Sequence, residues 1–126
     1  METTVEKNAP ETKTIKIAVP TAQGKLCMHF GHCESFALIT VDMAGKTIIS
    51  QEIAVPPPHE PGVLPRWLHD MKANVIIAGG MGMRAQQLFQ QHGIQVVVGA
   101  PPEDPKAVVL QWINGTLQTG GNTCDH

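Results

Sequence analysis

The sequence predicts an α/β fold: a mixed five-stranded sheet flanked by helices, with elements in the order β-β-β-α-β-α-β-α. Three observations carry this. Two apolar runs, 34–41 with Phe36, Leu38 and Ile39 and the isoleucine-rich 46–55, are separated by only a short turn, Asp42-Met43-Ala44-Gly45, which marks an antiparallel hairpin. Val75-Ile76-Ile77-Ala78 and Val96-Val97-Val98 are short and continuously apolar, as strands of a parallel sheet are when both faces are covered. Between and after them, apolar residues recur at helical spacing.

Taken in order, residues 1–13 are polar and mixed in charge and read as a disordered leader. Ile15-Lys16-Ile17-Ala18-Val19 alternates and then runs apolar, giving a first strand closed by Pro20. A loop from Thr21 leads to the second and third strands. Pro56-Pro57-Pro58 follows and cannot be regular structure, because consecutive prolines lack donors and fix φ. Val63, Leu64, Trp67, Leu68 and Met71 then space a helix whose first turn tolerates Pro65. The strand at 74–78 runs into Gly79-Gly80-Met81-Gly82, and a second helix starts near Met83, with Ala85, Leu88, Phe89 and His92 on one face and Gly93 as its stop. A buried strand over 95–99 is broken by Pro101 and Pro102. Asp104 then caps a last helix opened by Pro105 and bearing Val108, Val109, Trp112 and Ile113. The folded domain spans 14–116, and 117–126 reads as a flexible tail ending Cys124-Asp125-His126.

The totals narrow the function. At 126 residues, with 42% hydrophobic and 16% charged residues, the chain is one globular domain. A net charge of −2, no tyrosine and no basic stripe argue against nucleic acid or an anionic membrane as partner. No apolar run has transmembrane length and residues 1–14 have no signal-like apolar stretch, so a cytoplasmic location is the expectation. Three cysteines, two of them beside histidines, favour metal ligation or thiol chemistry over a disulfide framework.

Chemistry concentrates in Cys27-Met28-His29-Phe30-Gly31-His32-Cys33. Thiolate and imidazole suit zinc, copper and iron–sulfur centres, but the spacing matches no common zinc-finger or ferredoxin pattern. The stretch is a metal candidate without a named metal. Its bland alternative is a loop with two inert thiols and two solvated histidines. If the first and fourth strands are neighbours, this loop and the glycine turn face each other across one rim of the sheet, at the strand ends where α/β proteins place ligands.

The leading strand, the loop ending in His29-Phe30-Gly31, Phe36 opening the next strand and Gly79-Gly80-Met81-Gly82 before a helix together resemble the nitrogenase iron–molybdenum cofactor carrier family. That family includes small NifX-type proteins, the C-terminal domain of NifB-type proteins and the orange protein of sulfate reducers. The likeness covers roughly residues 14–118. It implies a ribonuclease-H-like three-layer fold, a role in binding or carrying metal–sulfur clusters, and His29 as a candidate ligand. Cys27 and Cys33 bracket the motif where many relatives lack cysteines, and the Cys124-Asp125-His126 ending is no general family feature.

Residue by residue, Cys27 and Cys33 are the foremost ligand candidates, with His29 beside them. His32 is a second ligand or a donor to cluster sulfur, and equally a bystander. Gly79, Gly80, Met81 and Gly82 form a candidate cofactor cradle, because helix N-terminal amides stabilise anions and metal–sulfide clusters are usually anionic. A plain strand–helix turn is the alternative, and Met81 and Met83 are more simply packing. Cys124 and His126 could complete a site, pass a cluster on or do neither. His59, His69 and His92 read as surface or rim residues. The expected cargo is an iron–sulfur or mixed-metal (Fe/Mo/Cu) sulfur cluster, stored or transferred without catalysis by a monomer or weak homo-oligomer that meets cluster donor and acceptor proteins. The alternative is a mononuclear zinc or copper module with a regulatory role. No carboxylate cluster sits at the strand ends for two-metal nuclease chemistry, and no Cys-x-x-Cys motif supports thiol–disulfide exchange.

Overall fold

A computed structural model describes residues 14–27, 33–57 and 62–120. The elements are β1 (Thr14–Ala22), β2 (Lys25–Leu26), β3 (Ser35–Asp42), β4 (Thr47–Ala54), α1 (Val63–Asp70), β5 (Val75–Ile77), α2 (Met83–Gln91), β6 (Gln95–Val97) and α3 (Pro105–Ile113). They form one mixed sheet in the order β4-β3-β1-β5-β6, with β2 paired to β1 alone. β1 runs antiparallel to β3 from Thr14↔Asp42 to Thr21↔Ser35 and parallel to β5 at Ile17↔Val75 and Ala18↔Ile76. The expected α/β architecture with its mixed sheet is present, and the first and fourth expected strands, β1 and β5, are neighbours.

The alternation within β1 and β3 covers both faces. On one face Ile17, Val19, Ala37, Ile39 and Val41 pack with Val108, Val109 and Ile113 of α3. On the other, Ala18, Phe36 and Leu38 pack with Leu64 and Leu68 of α1 and Phe89 of α2. Trp67 meets Phe36 edge-on, with ring centres 5.5 Å apart, an arrangement worth about 0.5–1.5 kcal/mol beyond its buried area. Asp104 caps α3 by accepting from the Lys106 amide at 2.9 Å, with Pro105 opening the helix, as expected.

Four local differences from the sequence reading have physical causes. β1 is not closed at Pro20 but continues to Ala22; proline removes only a donor, and its carbonyl still accepts from the Cys27 amide at 2.8 Å. The loop after it contains a sixth strand, because Gln23 and Gly24 both take positive φ, 56° and 82°. That is the condition for a two-residue hairpin pairing Ala22 with Lys25. β6 is an edge strand, so Val96 and Val97 are only half-buried and not the two-sided core expected of them. In β4, a bulge opposite Thr40 and Val41 leaves Ile49 out of register, and Ile49 and Ile53 are exposed. The leader 1–13 lies outside the described residues.

Candidate functional site

Two arms of chain clasp the end of β1. On one side the Cys27 amide donates to Pro20 O at 2.8 Å, and the preceding Leu26 amide donates to Glu103 O at 2.9 Å. On the other, the Glu34 amide donates to Thr21 O at 2.8 Å. Thr21, which is buried, places Oγ1 3.1 Å from Ser35 O and 2.8 Å from Ser35 Oγ. A carbonyl only accepts, so Thr21 donates to it and receives from the Ser35 hydroxyl. Glu34 Oε1 accepts from the Gln23 amide at 3.1 Å and ties the second arm back to the β1–β2 turn.

Cys27 and Cys33 therefore stand on either side of one strand end. Both contact the same apolar cluster, together with Met81 and Ala78. Neither forms a disulfide; Cys27 is half-buried and Cys33 buried. Burial pushes the Cys33 thiol up to about 11, and the nearby Cys27 adds to the rise. A thiol in that condition is neutral at pH 7, and a metal that bound it would displace its proton to solvent.

β5 ends beside β1, so the glycine turn enters at the same rim. Gly79 and Gly80 are buried and Gly82 is half-buried. Met81 has a fully buried side chain, and its backbone carbonyl accepts from Gln86 Nε2 at 2.8 Å. Gly82 is the N-cap of α2, with φ −66° and ψ 158° and no side-chain cap. Any residue adopts that conformation, and a Cβ added there would meet nothing within 4 Å among the described residues. Neither backbone nor packing demands glycine at 82; it keeps space open over the first-turn amides of α2, which have no intrahelical acceptors. Met83 is exposed.

The sequence reading did not single out Gly99. Its amide donates to Gly79 O at 3.0 Å and its carbonyl accepts from the Gly120 amide at 2.7 Å. With φ at 88°, a Cβ on Gly99 would overlap the Gly120 carbonyl oxygen. Leu117 packs against the α3-side core, so residues 117–120 return to the rim that carries the glycine turn. Glycine at 99 was the available signal; its partner at 120 is visible only in three dimensions. His29, His32, Cys124 and His126 lie outside the described residues. Among the described residues, no three His, Cys, Asp or Glu side chains gather closely enough to hold a metal ion.

The family profile of the dinitrogenase iron–molybdenum cofactor matches residues 13–115. The chain belongs to this family. An uncharacterized protein of Methanocaldococcus jannaschii is 33% identical over 90 residues, covering 68% of this chain and 75% of its own length. The crystal structure of PH0822 superposes with a TM-score of 0.76 at 27% identity, covering 83% of this chain and 94% of that one. The apo form of the orange protein from Desulfovibrio gigas shares the fold, with a TM-score of 0.67 at 21% identity over 88% of this chain and 97% of that one. The resemblance drawn from the His-Phe-Gly and glycine-turn motifs is thereby shown, and with it a family of iron–molybdenum cofactor carriers. No helix among the described residues is long and apolar enough to cross a membrane.

Proposed function

We propose that the chain binds and carries an iron–sulfur or mixed-metal sulfur cluster, without catalysing a reaction, at the rim where the 27–33 loop meets the Gly79–Gly82 turn of a ribonuclease-H-like fold. The observation that carries this reading is the placement of Cys27 and Cys33. The backbone amides of Cys27 and of Glu34, next to Cys33, are held on the adjacent carbonyls of Pro20 and Thr21 at one strand end, beside a helix N-terminus whose cap position is open space among the described residues. Thiolates bind iron and copper in sulfide cores, and the α2 amides offer partial positive charge to an anionic cluster.

His29 and His32 fall between the two cysteines in sequence and are proposed as further ligands, or as donors to cluster sulfur. Cys124 and His126 are proposed to join from the tail. Gly120 is held to Gly99, and Gly99 to Gly79; the four residues from Gly120 to Cys124 span at most about 14 Å, enough to reach along one rim. An imidazole or tail ligand makes a site more labile than four thiolates would, which suits a cluster received from one protein and surrendered to another.

The test is anaerobic purification with iron, molybdenum, copper and acid-labile sulfide analysis of wild type and Cys33→Ala. Broad visible absorption with stoichiometric sulfide, lost in the variant, supports the reading. A colourless wild type holding one zinc per chain, or full cluster retention by Cys33→Ala, overturns it.

A further inference from the structure

At the opposite rim, His69 in the last turn of α1 and His92 at the C-cap of α2 are brought together from positions 23 residues apart. Their rings stand 5.5 Å apart, centre to centre, at an interplanar angle of 61°. His69 Nδ1 lies 3.2 Å from His92 O, and His92 Nδ1 lies 3.0 Å from Leu88 O. Both partners are backbone carbonyls, which only accept, so each Nδ1 carries its proton. In the neutral ring the lone pair is then on Nε2. A histidine whose Nδ1–H is held by a carbonyl is the usual form of a metal-ligating histidine, because that bond fixes tautomer and ring orientation.

We infer that His69 and His92 form a two-imidazole site for a divalent transition ion of the zinc class. The separation fits. With a metal–nitrogen bond of about 2.1 Å and about 1.2 Å from ring nitrogen to ring centre, two imidazoles on one tetrahedral ion stand roughly 5.4 Å apart. The field also fits: both rings sit at helix C-termini, where aligned peptide dipoles favour a cation. Among the described residues no third His, Cys, Asp or Glu side chain joins the pair, and an ion held by two protein ligands exchanges readily. α1 feeds β5 and α2 feeds β6, so this pair lies at the strand ends opposite the glycine turn, and the inference stands independently of the proposed cluster site.

Zinc titrated into the full-length chain carrying Cys27→Ser, Cys33→Ser and Cys124→Ser tests it, read by nitrogen NMR of the imidazole rings and by calorimetry. The expected result is that the Nε2 signals of His69 and His92 shift together and saturate with one zinc per chain. In the same background His69→Gln lowers that affinity at least tenfold and abolishes the His92 shift, and His92→Gln does the converse. Rings of His69 and His92 that do not move, or that move singly while other histidines take the zinc, overturn the inference. So does unchanged affinity in either Gln variant. The ring signals are read without substituting either histidine, so a folding defect in the Gln variants leaves the test intact.

Discussion

Gly120 donates its amide to Gly99 O at 2.7 Å, and Gly99 in turn donates to Gly79 O at 3.0 Å, so three glycines from distant parts of the chain extend the sheet's pairing past its last strand. The Gly99 step leaves no space for a side chain, since its φ is 88° and a Cβ would overlap Gly120 O. Gly99→Ala is expected to destabilise the protein by about 1–3 kcal/mol and to displace residues 117–120. Gly24→Ala carries a similar φ, 82°, but its Cβ would meet nothing within 4 Å, so its cost is backbone strain alone, about 1–2 kcal/mol. Urea midpoints compare the two, and hydrogen exchange at the Gly120 amide should accelerate only in Gly99→Ala.

Cys33 should react slowly in the metal-free protein. Burial, with Cys27 close by, raises its thiol to about 11, which leaves about one part in a thousand as thiolate at pH 8, and the thiolate is the nucleophile. Iodoacetamide labelling followed by peptide mass analysis should show Cys33 labelled far more slowly than after unfolding, with the rate climbing from pH 8 to 11. Equal rates in folded and unfolded protein would contradict the burial argument.

The same shift fixes the sign of a pH effect on stability. The folded-state value, about 11, lies above the ordinary 9.0, so the folded chain holds this proton more tightly than the unfolded chain. The resulting stabilisation is complete below pH 9 and is lost as pH rises towards 11. Denaturation midpoints of metal-free wild type should therefore fall more steeply between pH 9 and 11 than those of Cys33→Ala. Parallel curves would show that Cys33 does not supply the slope.

Much of this was legible in sequence, for physical reasons. Ile76 and Ile77 announced a covered parallel strand because no solvent-facing residue interrupts them, and Asp104-Pro105 announced a helix start because cap and first-turn chemistry is local. What escaped depended on position within the sheet. Val96 and Val97 have the composition of a core strand, yet they lie at an edge, which composition does not record. The Gln23-Gly24 hairpin was hidden because glutamine is an uncommon positive-φ residue. At the rim, the cysteines were visible as chemistry, but that Pro20 O and Thr21 O hold their two arms follows from strand pairing. The meeting of His69 with His92 depends on how α1 packs beside α2, which neither helix encodes alone.

Thr21→Val tests whether the cysteine arms are held by the buried hydroxyl. The substitution keeps shape and β-propensity but removes the hydrogen bonds to Ser35 O and Oγ, at 3.1 and 2.8 Å. Losing these part-buried hydrogen bonds costs about 0.5–1.5 kcal/mol. The urea midpoint should fall, and the proposed cluster should be lost faster on exposure to a chelator although no proposed ligand has changed. Leu68→Ala serves as the control: Leu68 is a fully buried residue of α1, so its loss costs about 2–5 kcal/mol through a cavity without removing a side-chain hydrogen bond at the strand end. If chelator loss tracks stability equally in both variants, the hydroxyl has no specific part in holding the arm.

Gly82→Ser separates the cradle from the fold. Serine is a better N-cap than glycine by a few tenths of a kcal/mol, and the φ −66°, ψ 158° conformation suits it. The side chain enters space in which a Cβ meets nothing within 4 Å, so the urea midpoint should stay level or rise slightly. A cluster resting on the first-turn amides of α2 would meet that side chain, and the hydroxyl oxygen would occupy an amide otherwise offered to the cluster. Sulfide and metal content after anaerobic purification should therefore fall in a protein that is no less stable than wild type. Full cluster content in Gly82→Ser would remove the glycine turn from the site and leave the cysteine loop to bind alone.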